Sequence, residues 1–415
     1  MTEQEKYRIE ELVSKLNQYT YEYYVLCRPT ISDYDFDMLL KELESLESKT
    51  GYIMDESPTQ RVGSDIQKDF GEVTRTRIMG SIANCYDKFE LLQWVNQYPG
   101  ETFILEPKYD GLSGSLIYEN GILAQASTRG TGYVGADITK NVRTIKNVPL
   151  KLGVKSVNEL DANNFAKYRN LTVPAKIEIR GEILLPKSEL AKINEERVKN
   201  NLPAFANERN AAAGSIKQLD TKITASRNLI FKPYAVYCDD TDFTEKYLST
   251  QADMLDTAYH LGFTPPIYWT AKSADDILKI LESFETEFLK AQDYCMDGCV
   301  VKLNKKSSQD LYGYTQKVPR WAKAFKFKQE TQSTKLLDVI WSMGRTGKLT
   351  PVAVLDPIEI DGSVISRASL NNIDYINELN IQTGVYVFVE KGGGVIPKIT
   401  GVDYERCCNE NIEIE

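Results

Sequence analysis

The sequence predicts a multidomain α+β protein in three parts: a small helical domain over residues 1–70, a mixed α+β domain over 71–328 and a small β-barrel domain over 329–415. Three observations carry that reading. Apolar residues near the N-terminus recur at helical spacing. The central stretch mixes strand-like and helical runs without the regular βαβ alternation of a doubly wound fold. The last stretch crowds many short strands, broken by Gly and Asp, into little chain, as a small closed barrel requires.

The first helix is marked by Ile9, Leu12, Val13, Leu16, Tyr19, Tyr23 and Tyr24, and the run Arg28-Pro29-Thr30 breaks it. Ser32 followed by Asp35 resembles a capping box for a second helix, whose apolar stripe is Leu39, Leu40, Leu43 and Leu46. A polar connector follows at 57–63. In the central part, strands are expected at 102–106, 114–118, 176–183, 231–237 and 298–303, and helices at 187–200 and 274–290. In the last part, strands are expected at 336–343, 350–355, 357–360, 364–368, 386–391 and 396–402.

Composition narrows the chemistry. With 42% hydrophobic and 26% charged residues, the chain reads as an ordinary globular protein. No apolar run reaches the ~18–20 residues that span a bilayer. The start, MTEQEKYRIEELV, lacks a signal-peptide core, so a cytoplasmic location and no membrane partner are expected. The seven cysteines are scattered and form no C-x-x-C, which predicts reduced thiols and no zinc site. The single histidine, His260, reads as a surface or packing residue, so any nucleophile or base must be Lys, Asp, Glu, Tyr or Cys. Net charge is −9, yet residues 302–348 carry eleven basic and three acidic side chains. Such a band suits a polyanion met at one face; it also describes a plain solvated surface.

Five charged runs follow one another. In Glu106-Pro107-Lys108-Tyr109-Asp110-Gly111, an extended backbone would point Lys108 and Asp110 the same way. A lysine amine with its usual pKa of ~10.4 is neutral only about one time in a thousand near neutral pH, so a nucleophilic lysine needs neighbouring cations or burial. Alone, this run also fits a surface ion pair before a turn. The run Thr128-Arg129-Gly130-Thr131-Gly132 is a glycine-rich turn of the kind that approaches ribose or phosphate. Glu178, Arg180 and Glu182 alternate on one strand face, and a charged inward face needs partners. Asp297-Gly298-Cys299-Val300-Val301-Lys302 and Phe325-Lys326-Phe327 complete the order.

That order, K-x-D-G, R-G-x-G, E-x-R-G-E, D-G-x-V-x-K and F-K-F, resembles the motif series of covalent nucleotidyltransferases. The strings SPTQRVG (57–63), TKNVRTI (139–145), FANERNAAAGSIKQLD (205–220), PRWAKAFKF (319–327), GRTG (344–347) and GVIPK (394–398) closely resemble bacterial NAD-dependent DNA ligases. The resemblance spans the chain. It implies a helical domain for the nicotinamide mononucleotide (NMN) half of NAD, a nucleotidyltransferase (adenylation) domain and an OB-fold domain, acting as a monomer on nicked duplex DNA. By this resemblance Lys108 attacks the adenylyl phosphorus of NAD and releases NMN; AMP then passes to the 5′-phosphate of a nick, and the 3′-hydroxyl seals it. Asp110 would orient Lys108, and Lys302 and Lys326 would contact the transferred phosphate. Glu106, Ser81 and Ile82 would read the adenine, and Arg129 and Glu182 would hold the ribose. Glu182 and Asp297 would orient waters of a magnesium ion. Tyr23, Tyr24, Asp33, Phe36 and Asp37 would meet the NMN, and Arg209, Lys217 and Arg345 the DNA phosphates.

Departures from the family pattern are also visible. Tyr24 stands where a histidine is common, and Phe36 where a tyrosine is; Thr131 and Ala136 replace acids of the glycine-rich turn, Lys217 an arginine, and Gly394 an aspartate. The family usually continues into a four-cysteine zinc module, helix-hairpin-helix motifs and a BRCT domain. A trimmed or naturally short form is therefore expected to self-adenylate but to join nicks weakly and with strong salt sensitivity. Two competing readings are an ATP- or GTP-dependent relative and a silent DNA-binding scaffold.

Overall fold

The computed structural model describes residues 1–24, 30–31, 33–61, 69–154, 166–205, 207–316, 318–327, 331–343, 349–360, 363–392, 396–410 and 412. They form two compact units, 1–326 and 327–415. The architecture is α+β with a closed barrel, as the patterning predicts.

In the first unit, helices Glu3–Tyr24 and Asp33–Thr50 pack through Ile9, Leu12, Val13, Leu16 and Leu43, with Phe36, Leu39, Leu40 and Leu46 partly buried alongside. Arg8 reinforces the pair by a two-pronged contact to Glu42 at 2.7 and 2.8 Å. Ser32 of the expected capping box lies outside the described residues. The connector is anchored by Ser57, which donates to Glu47 at 2.6 Å, and by Glu56, paired with Lys151 at 2.5 Å.

Eleven strands of this unit are described: β1 (Glu72–Thr74), β2 (Ala83–Cys85), β3 (Phe103–Tyr109), β4 (Leu112–Glu119), β5 (Ile122–Thr128), β6 (Val134–Ala136), β7 (Lys176–Leu184), β8 (Ile230–Cys238), β9 (Trp269–Ala271), β10 (Met296–Leu303) and β11 (Ala322–Lys326). They form a five-stranded sheet of order β2-β11-β10-β3-β9, a four-stranded sheet β5-β4-β7-β8, and a small ribbon β1-β6. On β7, Ile177, Ile179 and Ile183 enter the main core with Leu116, Tyr118 and Phe231, which leaves Glu178, Arg180 and Glu182 on the opposite face. The helix expected over 274–290 becomes Ala274–Ser283, a π turn Phe284–Phe288 and a last turn Leu289–Ala291. The wider turn seats Phe284 and Phe288 against Trp269, with ring centroids 5.5 and 5.1 Å away. His260 ends the helix Gln251–His260, buried and stacked on Tyr168 at 4.3 Å, a packing role.

The same helix carries Asp256, which accepts from the Tyr268 hydroxyl at 3.1 and 3.2 Å. Burial raises its carboxyl from 3.8 to about 6. The fold therefore favours the protonated acid, and stability is lost as pH rises from about 4 to about 6. Asp256→Asn keeps the shape and an acceptor for Tyr268. It is expected to raise stability at pH 7.5 by up to about 2 kcal/mol and to give no gain at pH 4, as read by thermal melts at both values.

In the second unit, β12 (Gln332–Met343), β13 (Leu349–Ile360), β14 (Ser363–Ser369), β15 (Tyr386–Gly392) and β16 (Ile396–Val402) close a barrel of order β12-β13-β14-β16-β15. Leu336, Ala353, Leu355, Ile365, Val387, Val389 and Ile399 fill it. The strands expected at 350–355 and 357–360 are one strand, β13, whose pairing with β14 slips between Val354 and Ile358. Pro357 cannot donate to the ladder, and the irregularity accommodates it.

Candidate active site

The central sheet builds the site by register. On β10, Gly298 faces Lys108 of β3 on one side and Lys326 of β11 on the other, so two lysines flank a residue with no side chain. A Cβ at Gly298 would lie 2.0 Å from the Phe325 carbonyl oxygen, which excludes any other residue there. One pairing step away Val300 faces Glu106, and a further step brings Lys302 opposite Ile104. The pairing of β10 with β3 slips between Met296 and Gly298, which leaves Asp297 unmatched at the irregularity. Its carboxylate reaches the Lys108 Nζ at 2.6 and 2.8 Å and the Lys326 Nζ at 2.8 Å.

Asp110 does not hold Lys108 in this arrangement. β3 ends at Tyr109, and the Asp110 carboxylate instead accepts from Arg209 Nη1 at 2.8 Å. Burial raises the Asp110 carboxyl, partly offset by Arg209. Lys302 and Lys326 also separate. Lys326 shares Asp297 with Lys108, whereas Lys302 is buried against Glu106 at 2.7 and 2.8 Å. Burial pushes the Glu106 carboxyl up, and Lys302 pulls it back. A buried pair of this kind is costly to break from one side only. Lys302→Met is expected to destabilise the chain by about 3–5 kcal/mol, and Lys302→Met with Glu106→Leu to recover most of it, as read by urea unfolding.

On the second sheet, Ser113 and Ser115 of β4 lie opposite Glu182 and Arg180 of β7. Ser113 donates to Glu182 at 2.7 Å and Ser115 to Glu178 at 2.6 Å. Glu182 forms no ion pair among the described residues, and burial raises its carboxyl to about 7. The two sheets enclose a cavity of about 340 Å³. Ser81, Ile82, Glu106, Lys108 and Asp110 line it, as do Arg129, Glu182, Arg209, Lys302 and Lys326.

Sequence reasoning missed part of the lining. Lys232, Pro233 and Tyr234 enter from β8, where the pairing with β7 slips beside Arg180, and Thr264, Pro265, Pro266 and Ile267 enter from a loop. The strand 231–237 was legible, but a slip in pairing reverses which of its residues face the cavity. Lys217 stays exposed at the end of helix Glu208–Ile216, outside the cavity lining. Phe36 packs on the helical pair's core. The side chains of Tyr23, Tyr24, Asp33 and Asp37, and all of Arg345, lie outside the described residues. The basic band is partly internal: Lys302, Lys306, Lys323 and Lys326 pair with Glu106, Asp310, Glu90 and Asp297.

Among the described residues, no group of three or more His, Cys, Asp or Glu side chains could hold a metal ion. A hydrated magnesium ion needs only one or two carboxylates besides substrate phosphates. Glu182 fits that role, as a largely buried carboxyl that forms no ion pair among the described residues; Asp297, already neutralised by two ammonium groups, fits it less well.

A family model described as the NAD-dependent DNA ligase adenylation domain matches residues 67–330. The chain belongs to the NAD-dependent DNA ligase family. Models for the family's N-terminal NAD+-binding domain and its OB-fold domain match residues 2–63 and 333–411. A DNA ligase of Porphyromonas gingivalis is 43% identical over 404 residues, covering 95% of this chain and 57% of that protein. A DNA ligase of Caldicellulosiruptor bescii is 40% identical over 414 residues, covering 98% and 58%. The chain thus spans less than two thirds of the length of these ligase relatives. No helix among the described residues is long and apolar enough to cross a membrane.

Proposed function

We propose that this chain is the catalytic core of an NAD-dependent DNA ligase, with residues 1–70 meeting the NMN half of NAD, 71–328 carrying adenylation and 329–415 contacting DNA. The observation that carries the reading is the lysine pair Lys108 and Lys326 held by one carboxylate, Asp297, in a cavity whose other end is Glu106 with Lys302.

Lys108 is the nucleophile. Its ammonium proton passes to Asp297, 2.6 Å away, and the freed amine attacks the adenylyl phosphorus of NAD. A phosphorus–nitrogen bond forms, and the phosphorus–oxygen bond to NMN breaks. Lys326 stays beside the reacting phosphate as a fixed positive charge. Glu106 with Lys302 marks the adenine end, with Ser81 and Ile82 of the same lining, and Arg129 with Glu182 the ribose. Lys302 thus serves the base end rather than the transferred phosphate. A magnesium ion, held through water by Glu182 and, once its lysines turn to phosphate, Asp297, would supply further charge neutralisation when bound. The adenylate then moves to the 5′-phosphate of a nick, and the 3′-hydroxyl displaces AMP.

Arg209 is engaged by Asp110 beside the cavity, so its role is at the reacting phosphates as much as along the duplex. Lys217 and Arg345 remain candidates for backbone phosphates, contacts that position a duplex without reading its sequence. The chain acts in the cytoplasm as a monomer. The test is closure of a singly nicked duplex with NAD and magnesium, followed on a denaturing gel across a salt series. Slow closure, suppressed steeply by salt, is expected; closure with ATP but not NAD would reverse the cofactor assignment.

A further inference from the structure

Two neighbouring segments reach the cavity, 75–82 through Gly80, Ser81 and Ile82 and the glycine-rich stretch 127–134 through Arg129, and a buried arginine ties them together. The ribbon pairing of β1 with β6 sets them side by side, and Arg75 N donates to the Tyr133 carbonyl at 2.8 Å and Met79 N to that of Gly132 at 3.1 Å. The Arg75 side chain, only 8% exposed, then enters beneath the turn. Nη1 donates to the carbonyls of Arg129 at 2.9 Å and Gly132 at 3.3 Å; Nη2 donates to the Ser127 hydroxyl at 2.8 Å and to the Thr128 carbonyl. Among the described residues Arg75 forms no ion pair. A buried guanidinium without a paired carboxylate is costly; the turn oxygens offset that cost at Nη1 and Nη2, Glu178 adds a longer-range attraction, and Nε is left without a hydrogen-bond partner among the described residues. Gly130 and Gly132 hold positive φ, 54° and 100°, and the turn closes on itself through Thr131 N to the Val134 carbonyl at 3.0 Å and Gly132 N to that of Arg129 at 2.9 Å, so Arg75 anchors from below a turn already shaped from within.

Arg180 makes a parallel contact on the segment 75–82. It donates to the carbonyls of Ile78 at 2.8 Å and Arg77 at 2.7 Å, just before Gly80, Ser81 and Ile82. Unlike Arg75, it carries its own counter-ion, Glu178, at 2.6 Å.

We propose that Arg75 is a positioning residue that fixes the glycine-rich turn so that Arg129 is presented to the bound nucleotide. Arg75 itself lies behind the turn, outside the cavity lining, and acts only through it. This rests on the reading of the cavity as the NAD adenylylation site. A lysine at 75 would keep the charge but not the fork that reaches four oxygens.

The test is a double-mutant cycle on single-turnover adenylation of Lys108 by NAD, with Arg75→Met, Arg75→Lys and Arg129→Ala. Arg75→Met and Arg129→Ala are each expected to raise the half-saturating NAD concentration about tenfold with little change in limiting rate, Arg75→Lys less so, and the double variant to remain near tenfold. A double variant near a hundredfold, or an Arg75→Met variant that loses thermal stability with unchanged NAD dependence, overturns the proposal. Amide hydrogen exchange gives a second readout without nucleotide. Residues 129–133 should exchange at least about tenfold faster in Arg75→Lys, and unchanged exchange there also overturns the proposal. If the unmodified chain takes no adenylate from NAD, the functional reading falls, and the exchange result alone decides the positioning claim.

Discussion

Lys108→Ala is expected to abolish adenylation of the chain by NAD, a loss of at least ~10⁴-fold in rate, since no other group can take the nucleophile's place. Lys326 shares the same carboxylate, but it enters from β11, across Gly298. The variant should remain folded, because Lys108 is partly exposed and its single carboxylate partner keeps Lys326. A nick that already carries a 5′-adenylate bypasses the lysine chemically. The variant should therefore still close such a nick with the 3′-hydroxyl as attacking group. Loss of both reactions would mean that the substitution disturbed the site rather than removed its nucleophile.

Asp297 is expected to matter next most. Its carboxylate makes charge-assisted contacts with both Lys108 and Lys326, each worth about 1.5–3 kcal/mol when held in fixed geometry. Asp297→Ala removes the proton acceptor and leaves two ammonium groups side by side. Adenylation by NAD should slow by about 10²–10³-fold. Asp110→Ala should act differently, because Asp110 engages Arg209 and not Lys108. Single-turnover rates of the two variants discriminate between the carboxylates. An Asp110→Ala defect that exceeds the Asp297→Ala defect would mean that Asp110 orients the nucleophile after all.

These two predictions mark how far the sequence was legible. Strand β10 could be read from its apolar run, and the alternation of Glu178, Arg180 and Glu182 from β7 alone, because a strand's two-residue period is local. The helical pair was legible for the same reason. The partner of Lys108 was not. Asp110 is its neighbour in sequence, while Asp297 reaches it only through a slip in the pairing of β10 with β3, and nothing within either strand's own sequence announces where two distant strands fall out of step.

Lys302 repeats the lesson. Its motif says nothing of Glu106, yet the cross-strand diagonal draws the two into a buried pair in the cavity wall. The basic band shows the same limit. Read as a string, residues 302–348 suggest a surface for a polyanion; folded, Lys302 and Lys326 belong to the cavity, and Lys306 and Lys323 to local ion pairs. Charge counted along the chain does not say which side chains face each other. The Arg75 contacts were equally invisible, since the ribbon pairing of β1 with β6 brings together residues more than fifty positions apart.

The most direct measurement is the intact mass of the chain after incubation with NAD and magnesium, with peptide mapping of any modified site. The account predicts a single AMP adduct, carried by Lys108, with NMN released and no adduct from ATP under the same conditions. An unmodified mass with NAD, or an adduct that maps to a residue other than Lys108, would contradict it.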